Sequence, residues 1–482
     1  MQQLSRSLSA NLAQLKDSFG QSADFYSKQV QLYGCPCAIL LFDGMASLNS
    51  LWTVLLDAAS RHTPAAAQSK LEGEQVFALI FHQSDLPAES TPVADMADLV
   101  RRMTAGMAVL LMDGCDRGIA FSVQNLKFRS VGEPEGEGNL RGSREGFSDL
   151  LRINLSLLRR LIRTEALVQE VAQADTPMAT EYALCYCKGK VSPQALEYVR
   201  KALAAAKPAM LLDSSYFLPW LLPASFRLFT PVSYTQRPAV AAAKLCEGKI
   251  LVMVNGSPSA LVLPALFSEN FECLDDYGTT AFFSSFLRIL KYASFALTVF
   301  LPGAFVCIAV YLPELLPPQL LYRIAAAEKA TPMPLFAEMV MVILILEVIR
   351  EAGLRMPQTL GHSVSLVAAL VIGDAAISAG LMSTPVILVA SITSIAVFVT
   401  PSLYESATVL RLGVVFAAGL AGPVGLAASA LLFLLALSSV SALGVPYLSS
   451  RSTSSPDGVL RRNYRKLSAT PFDIWKKGGN KS

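Results

Sequence analysis

Tyr292-Ala-Ser-Phe-Ala-Leu-Thr-Val-Phe-Leu-Pro-Gly-Ala-Phe-Val-Cys-Ile-Ala-Val-Tyr-Leu312 is a run of 21 residues without a charge. At about 1.5 Å per residue such a helix reaches across the roughly 30 Å hydrocarbon core of a bilayer. Arg288 and Lys291 stand just before it, where long basic side chains snorkel to headgroups on the cytoplasmic side. Downstream, 363–404 carries one charge, Asp374, and the break at Gly380–Pro385 divides it into spans 363–380 and 384–404. The stretch 412–444 is uncharged but interrupted by Gly419, Gly422, Pro423 and Gly425, so it reads as one long kinked helix or as a tight pair. A helix at 334–353 is different. Glu338 and Glu347, nine residues apart, fall on opposite sides, and Glu347, Arg350, Glu351 and Arg355 share a broad polar face. It suits an interface, a re-entrant position or the lining of a wet cavity better than lipid.

Charge is partitioned to match. Up to Gly278 there are 25 Lys/Arg and 28 Asp/Glu, from Thr279 to Ser450 seven of each, and from Arg451 onward eight basic and two acidic residues. The near-neutral total therefore carries no signal for nucleic acid. The polar first 24 residues show no secretory leader. With Arg461, Arg462, Arg465, Lys466, Lys476 and Lys477 in the tail, the positive-inside tendency places both ends in the cytoplasm and requires an even number of crossings. Four is the preferred count, with the Glu338 helix not crossing. Six follows if 412–444 is a hairpin and the Glu338 helix crosses.

The soluble part repeats itself. Gly106-Met-Ala-Val-Leu-Leu-Met-Asp113-Gly114 and Gly248-Lys-Ile-Leu-Val-Met-Val-Asn255-Gly256 are apolar strands ending in hairpin-turn dipeptides, each followed by a second apolar run. Upstream, Ala38 to Gly44 and Ala183 to Gly189 each precede a helical stretch. The expected fold is thus an α/β soluble region of two tandem similar subdomains, followed by an all-α multi-span membrane domain. The divisions are a polar segment 1–25, subdomains 26–130 and 177–278, a linker 131–176, membrane domain 279–448 and basic cytoplasmic tail 449–482. In the linker, Phe147, Leu151, Leu155, Leu158 and Ile162 form one apolar stripe, with Arg152, Arg159, Arg160 and Arg163 outside it. These arginines suit solvent, lipid phosphates or a neighbouring subunit. Cys35/Cys37 and Cys185/Cys187 read as small apolar residues in core strands. Asn255-Gly-Ser-Pro258 reads as a plain turn. His62, His82 and His362 are scattered, and neither a catalytic triad nor a phosphate loop is present, so no enzyme, cofactor or metal is expected.

The chain resembles the A subunits of bacterial spore germinant receptors and the related stage V sporulation AF proteins. The resemblance rests on Gly142-Ser-Arg-Glu-Gly-Phe147, Gln236-Arg-Pro238, Asn255-Gly-Ser-Pro258 and Ser285-Phe-Leu-Arg-Ile-Leu-Lys-Tyr292. It continues through Pro313-Glu-Leu-Leu-Pro317, Glu347-Val-Ile-Arg-Glu-Ala-Gly-Leu-Arg-Met-Pro357, Leu370-Val-Ile-Gly-Asp374 and Ser441-Ala-Leu-Gly-Val-Pro-Tyr-Leu448. Asn255 stands where the family usually has Asp, and Asp374 and His362 where it usually has Gln.

The resemblance implies a homo-oligomer, a pentamer in the family, that forms a nutrient-gated cation channel in the inner spore membrane. Its implied partners are a transporter-like B subunit, a lipoprotein C subunit and membrane lipids, without nucleic acid. Asp374, Glu338 and Glu347 are the candidate ion path. Arg152, Arg159, Arg160, Arg288 and Lys291 are candidate interface or membrane-surface contacts. An accessory channel or scaffold of the AF type, or a secondary transporter, are the alternatives.

Overall fold

Strands β1 (Phe25–Leu32), β2 (Cys35–Phe42), β3 (Ser90–Val93), β4 (Ala108–Met112) and β5 (Gly118–Phe121) form one sheet. Its order is β1-β2-β4-β5-β3 and every pairing is antiparallel. Strands β6 (Leu167–Gln173), β7 (Glu181–Cys187), β8 (Ser233–Thr235), β9 (Ile250–Val254) and β10 (Ala260–Leu263) form a second, with order β6-β7-β9-β10-β8, again antiparallel. In this computed structural model the described residues are 3–61, 71–82, 89–123, 137–138, 142–222, 228–355, 373–449, 460–461 and 475.

The central strands are apolar on both faces because helices cover both. From β2, Cys35, Cys37, Ile39 and Leu41 pack against α2 (Leu48–Arg61) and α3 (Gly73–His82). Ala38, Leu40 and Phe42 pack against α1 (Leu8–Phe19) and α4 (Met96–Thr104). In the second sheet Tyr182, Leu184 and Tyr186 meet α6 (Pro193–Ala205). Ala183, Cys185 and Cys187 meet α5 (Leu151–Leu161) and α7 (Pro238–Cys246). Alternation along each strand explains why both members of each Cys-x-Cys share a face.

The repeat is longer than the strands alone indicate. Segment 1–25 contains α1, whose Leu8, Leu12, Leu15 and Phe19 are buried. The linker 131–176 contains α5 and β6. Both helices are held by one device. Asp113 Oδ1 accepts the backbone N–H of Leu8 at 3.0 Å, and Asn255 Oδ1 that of Leu151 at 3.0 Å, so each turn side chain caps the helix of its own repeat. Gly114 (φ 84°) and Gly256 (φ 95°) donate to the carbonyls of Arg6 and Asp149 at 2.8 and 2.7 Å, from a backbone region that favours glycine. Asn11 and Asn154 then clamp Ser5 and Ser148: each Oδ1 accepts from a backbone N–H (2.9 and 2.8 Å) and each Nδ2 donates to a carbonyl (2.6 Å in both).

The helical region comprises α8 (Ala281–Tyr311), α9 (Pro318–Lys329), α10 (Leu335–Arg355), α11 (Thr384–Ala396) and α12 (Tyr404–Ser439). Two stretches among the described residues, Ala281–Tyr311 and Pro401–Ser439, are long and apolar enough to cross a membrane. The 36 residues of α12 would extend about 54 Å if straight. Yet Leu403, at one end, and Val440, at the other, share a cluster with Phe229 of the second repeat. The chain reverses at Gly422 (φ 55°), so α12 is a helical hairpin rather than a kinked rod. Its tip meets the end of α8, since Tyr311 donates to the Gly419 carbonyl at 2.7 Å.

These contacts define a near end, at the second repeat, and a far end, at Tyr311 and Gly422. Phe336 packs on Phe416 and Gly419 towards the far end, while Glu347 meets Tyr404 towards the near one. Helix α10 therefore runs back through the bundle instead of lying outside it. Span 363–380 falls largely outside the described residues, as does most of the tail.

Candidate functional site

Glu338 and Glu347, expected on opposite sides of α10, occupy two separate sites. Glu338 is fully buried, and its Oε1 accepts the backbone N–H of Ser383, the residue before α11. A carboxylate there complements the positive end of the α11 dipole. Its Oε2 has no hydrogen-bond partner among the described residues.

Glu347 lies two and a half turns further on, in a cross-helix cluster. Arg411 Nη2 donates to its Oε1, the Tyr404 hydroxyl to its Oε2, and Thr408 Oγ1 lies 3.5 Å from Oε1. Arg350 is 3.9 Å from Oε2 and stacks over the Tyr404 ring. Arg411 is buried and also donates to Ser394 Oγ at 3.3 Å, while its Nε has no partner among the described residues. Tyr404, Thr408 and Arg411 stand at i, i+4 and i+7, one face of the first hairpin arm. Glu347 is thus bound to a cation of its own chain, Arg411, with Arg350 of its own helix close by.

Asp374 lies in the helical residues 373–378, just before the Gly380 turn, and is exposed. Gly380 sits against the carbonyl of Ala330, at the far end rather than mid-bundle. The structure does not bring Asp374, Glu338 and Glu347 together.

Arg288 does not reach lipid. It is fully buried, with Nε 3.0 Å from Asp276 Oδ2 and Nη1 3.8 Å from Glu272. Lys291 is 3.9 Å from Asp276 Oδ1. These carboxylates draw both bases into the protein at the start of α8. Arg461 of the tail joins them: its guanidinium donates to the carbonyls of Tyr277 and Thr279 and to Ser284 Oγ. Trp475 Nε1 donates to the Gly248 carbonyl at 2.8 Å.

The linker arginines divide. Arg159 is fully buried, with Nε 2.6 Å and Nη2 2.9 Å from the Asp24 carboxylate, further bonds to Ser22, Thr164 and Leu167, and its guanidinium over Phe42 at 4.5 Å. It joins the two repeats and touches neither lipid nor another subunit. Arg152 bridges Asp43 at 2.8 Å and Glu181 at 3.9 Å, and Arg160 pairs with Glu145.

Below the second repeat an aromatic cluster forms the junction with the helices. Phe271 stacks on Tyr292 with centroids 3.8 Å apart, and Phe229, Phe267, Phe295, Phe433 and Tyr447 surround them. Beside it, buried Lys249 pairs with Glu269, which also pairs with Lys244 at 2.9 Å and accepts the Leu266 backbone N–H at 3.2 Å. Burial pushes the Tyr447 hydroxyl up to about 12, so it stays protonated, and it lies 3.0 Å from Asn270 Nδ2. Glu74, Cys115 and Asp116 lie within 4.8 Å of one another, but Arg117 holds Glu74 at 3.0 Å and supplies the balancing charge.

Over residues 13–471 the sequence matches the family described as Bacillus/Clostridium GerA spore germination protein, and the chain belongs to that family. It is 30% identical to spore germination protein KA of Bacillus subtilis, over 95% of this chain and 84% of that protein. With spore germination protein GerLA of Bacillus cereus it shares 26% identity over 90% and 88% of the two chains. With stage V sporulation protein AF of Bacillus subtilis it shares 28% over 75% of each. Among solved structures, the N-terminal domain of the A subunit of the Bacillus megaterium spore germinant receptor GerK3 covers 55% of this chain and 97% of its own, at 23% identity and a TM-score of 0.44.

Proposed function

We propose that this chain is a membrane subunit of a spore germination receptor complex, and that copies of it surround a cation path opened in response to a nutrient. The observation that carries the reading is the exposed carboxylate of Asp374 on an exterior that also presents Ile377, Leu381, Leu388, Ile392 and Ile395. A charge among apolar neighbours on a helix exterior is better met by water or by another copy than by lipid, and near the far end Asp374 stands towards the mouth of the bundle. A ring of such carboxylates attracts cations. Six crossings, one of them assigned to the sequence span 363–380, are the even number in this reading that returns Ser439 to the end from which Ala281 starts. Repeats and tail then lie on the cytoplasmic side of the inner spore membrane. A transporter-like B subunit that recognises the nutrient and a lipoprotein C subunit complete the complex.

Asp374→Asn is expected to lower unitary cation conductance of the reconstituted chain by about two- to threefold without affecting assembly. Unchanged conductance removes Asp374 from the path. An accessory role of the sporulation AF type is the second reading, supported by an identity to that protein close to those of the germination proteins.

A further inference from the structure

The first arm of α12 touches the second repeat on one side and α10 on the other. Ser406 Oγ donates to the Leu228 carbonyl at 2.6 Å, and the neighbouring Phe229 ring packs on Phe433 of the second arm at 5.9 Å. Two residues before Ser406, Tyr404 donates to Glu347. Two turns beyond Tyr404, Arg411 is held by the same carboxylate, with Ser394 of α11 as its other partner. One carboxylate therefore fastens three helices at the point where the soluble part meets the bundle.

We propose that the Glu347–Arg411 pair is a latch through which the second repeat holds the bundle closed. The proposal rests on the channel reading above. A shift of the Leu228–Phe229 segment would carry the arm with it through Ser406 and the aromatic cluster. Sliding the arm past α10 takes Arg411 off Glu347 and offers it no ready substitute: Glu351, one turn on, is exposed and held by Arg355 at 2.6 Å, and Glu338 is nine residues off and capping α11. A buried guanidinium parted from its carboxylate is strongly disfavoured, so the latch resists the shift until the repeat supplies it. Tyr404 and Ser394 are positioning residues that hold the two charges in register.

The test is potassium efflux from liposomes carrying the full chain, with no nutrient present, alongside the size of the detergent-solubilised assembly. Arg411→Glu and Glu347→Arg should each raise efflux about tenfold over the parent, and the double exchange Glu347→Arg/Arg411→Glu should return it to within about twofold. Tyr404→Phe, which removes one hydroxyl and leaves the ring under Arg350, should raise efflux by about threefold and keeps the test open if the charge reversals fail to assemble. Unitary conductance should stay unchanged, since the latch sets how often the path is open and not its width. A merely structural pair would lower the amount assembled and leave efflux per assembled copy at the parent value, which overturns the latch. So would equal efflux from the parent, both reversals and Tyr404→Phe. The two readings fail separately: if the reversals leak and Asp374→Asn does not reduce that leak, the latch stands and Asp374 leaves the path, whereas no ion flux from the parent or any variant, with assembly intact, overturns the channel reading itself.

Discussion

Leu8 and Leu151 receive the same cap in their two repeats, which makes Lys16 and Arg159 equivalent positions of α1 and α5. Lys16 is exposed and Arg159 is fully buried. Topology, capping turn and asparagine clamp are common to both repeats, so this difference is one of load. Helix α5 packs its own sheet and at the same time the outer surface of the first repeat, through Asp24, Ser22 and Phe42. Among the described residues, the aromatic junction with the helices draws on Phe229, Phe267 and Phe271, all of the second repeat. The first repeat is fastened to the second, and the second to the bundle. Duplication supplied two similar units, and among the described residues the second is the one seen to join both the first repeat and the bundle.

The largest expected break in that comparison is Arg159→Ala. It leaves Asp24 buried without its partner and should cost about 3–5 kcal/mol. Lys16→Ala, at the matching exposed position, should fall within about 0.5 kcal/mol. Hydrogen exchange of β1 and β6 in the full chain would measure both. Equal effects would mean that the buried pair does not join the repeats.

A second asymmetry is chemical. Where α4 ends in Thr104, α7 ends in Cys246, whose thiol is held down to about 6 by a hydrogen bond from the Cys187 thiol and by nearby Lys190. A lowered pKa means that the reactive thiolate is already populated as pH rises past that value. Between about pH 5 and 7 alkylation of Cys246 should climb and then level off. At pH 6 it should run about tenfold faster than an ordinary exposed thiol, after allowing for the weaker nucleophilicity of a low-pKa thiolate. Cys187→Ala should return the midpoint towards the usual thiol range. Mass-spectrometric alkylation profiles would read both, and an unshifted midpoint would exclude the Cys187 contact as the cause.

Much of this architecture was legible in the residues, and the omissions have physical reasons. The hairpins at Asp113-Gly114 and Asn255-Gly256 stood out because the apolar runs before them are buried on both faces. Helix α1 did not, because its buried Leu8, Leu12, Leu15 and Phe19 are diluted by serine, glutamine and lysine. The signal that could have recovered it is the shared Asn-Leu-x-x-Leu of Asn11 to Leu15 and Asn154 to Leu158. Arg411 borders the uncharged run 412–444, and nothing within a helical turn of it names its partner. Only the Tyr404, Thr408, Arg411 spacing marked it as part of a face. Arg288 looked free for lipid because its partner Asp276 lies twelve residues away, beyond any helical i,i+4 pairing. Local periodicity is visible in one sequence, whereas the partners of a buried charge depend on how distant segments pack.

The smallest expected effect tests whether the two caps are interchangeable. Asp113 and Asn255 present the same Oδ1 to the first N–H of their helices, and they differ in charge. Helix N-termini favour a negative group, so Asn255→Asp should stabilise α5 by about 0.3–1 kcal/mol, and Asp113→Asn should cost α1 a similar amount. Alanine at either position removes the acceptor and should cost about 1 kcal/mol. Asp149 and Glu181 flank Asn255, whose own N–H donates to the Glu181 carbonyl at 2.9 Å, so an added charge there meets acidic neighbours that will trim the gain. Exchange rates of the Leu8 and Leu151 amides in the full chain would follow each variant. If Asn255→Asp slowed exchange at Leu151 while Asp113→Asn left Leu8 unchanged, the first cap would be working by geometry alone, and the two repeats would differ in how their helices begin as well as in what they bear.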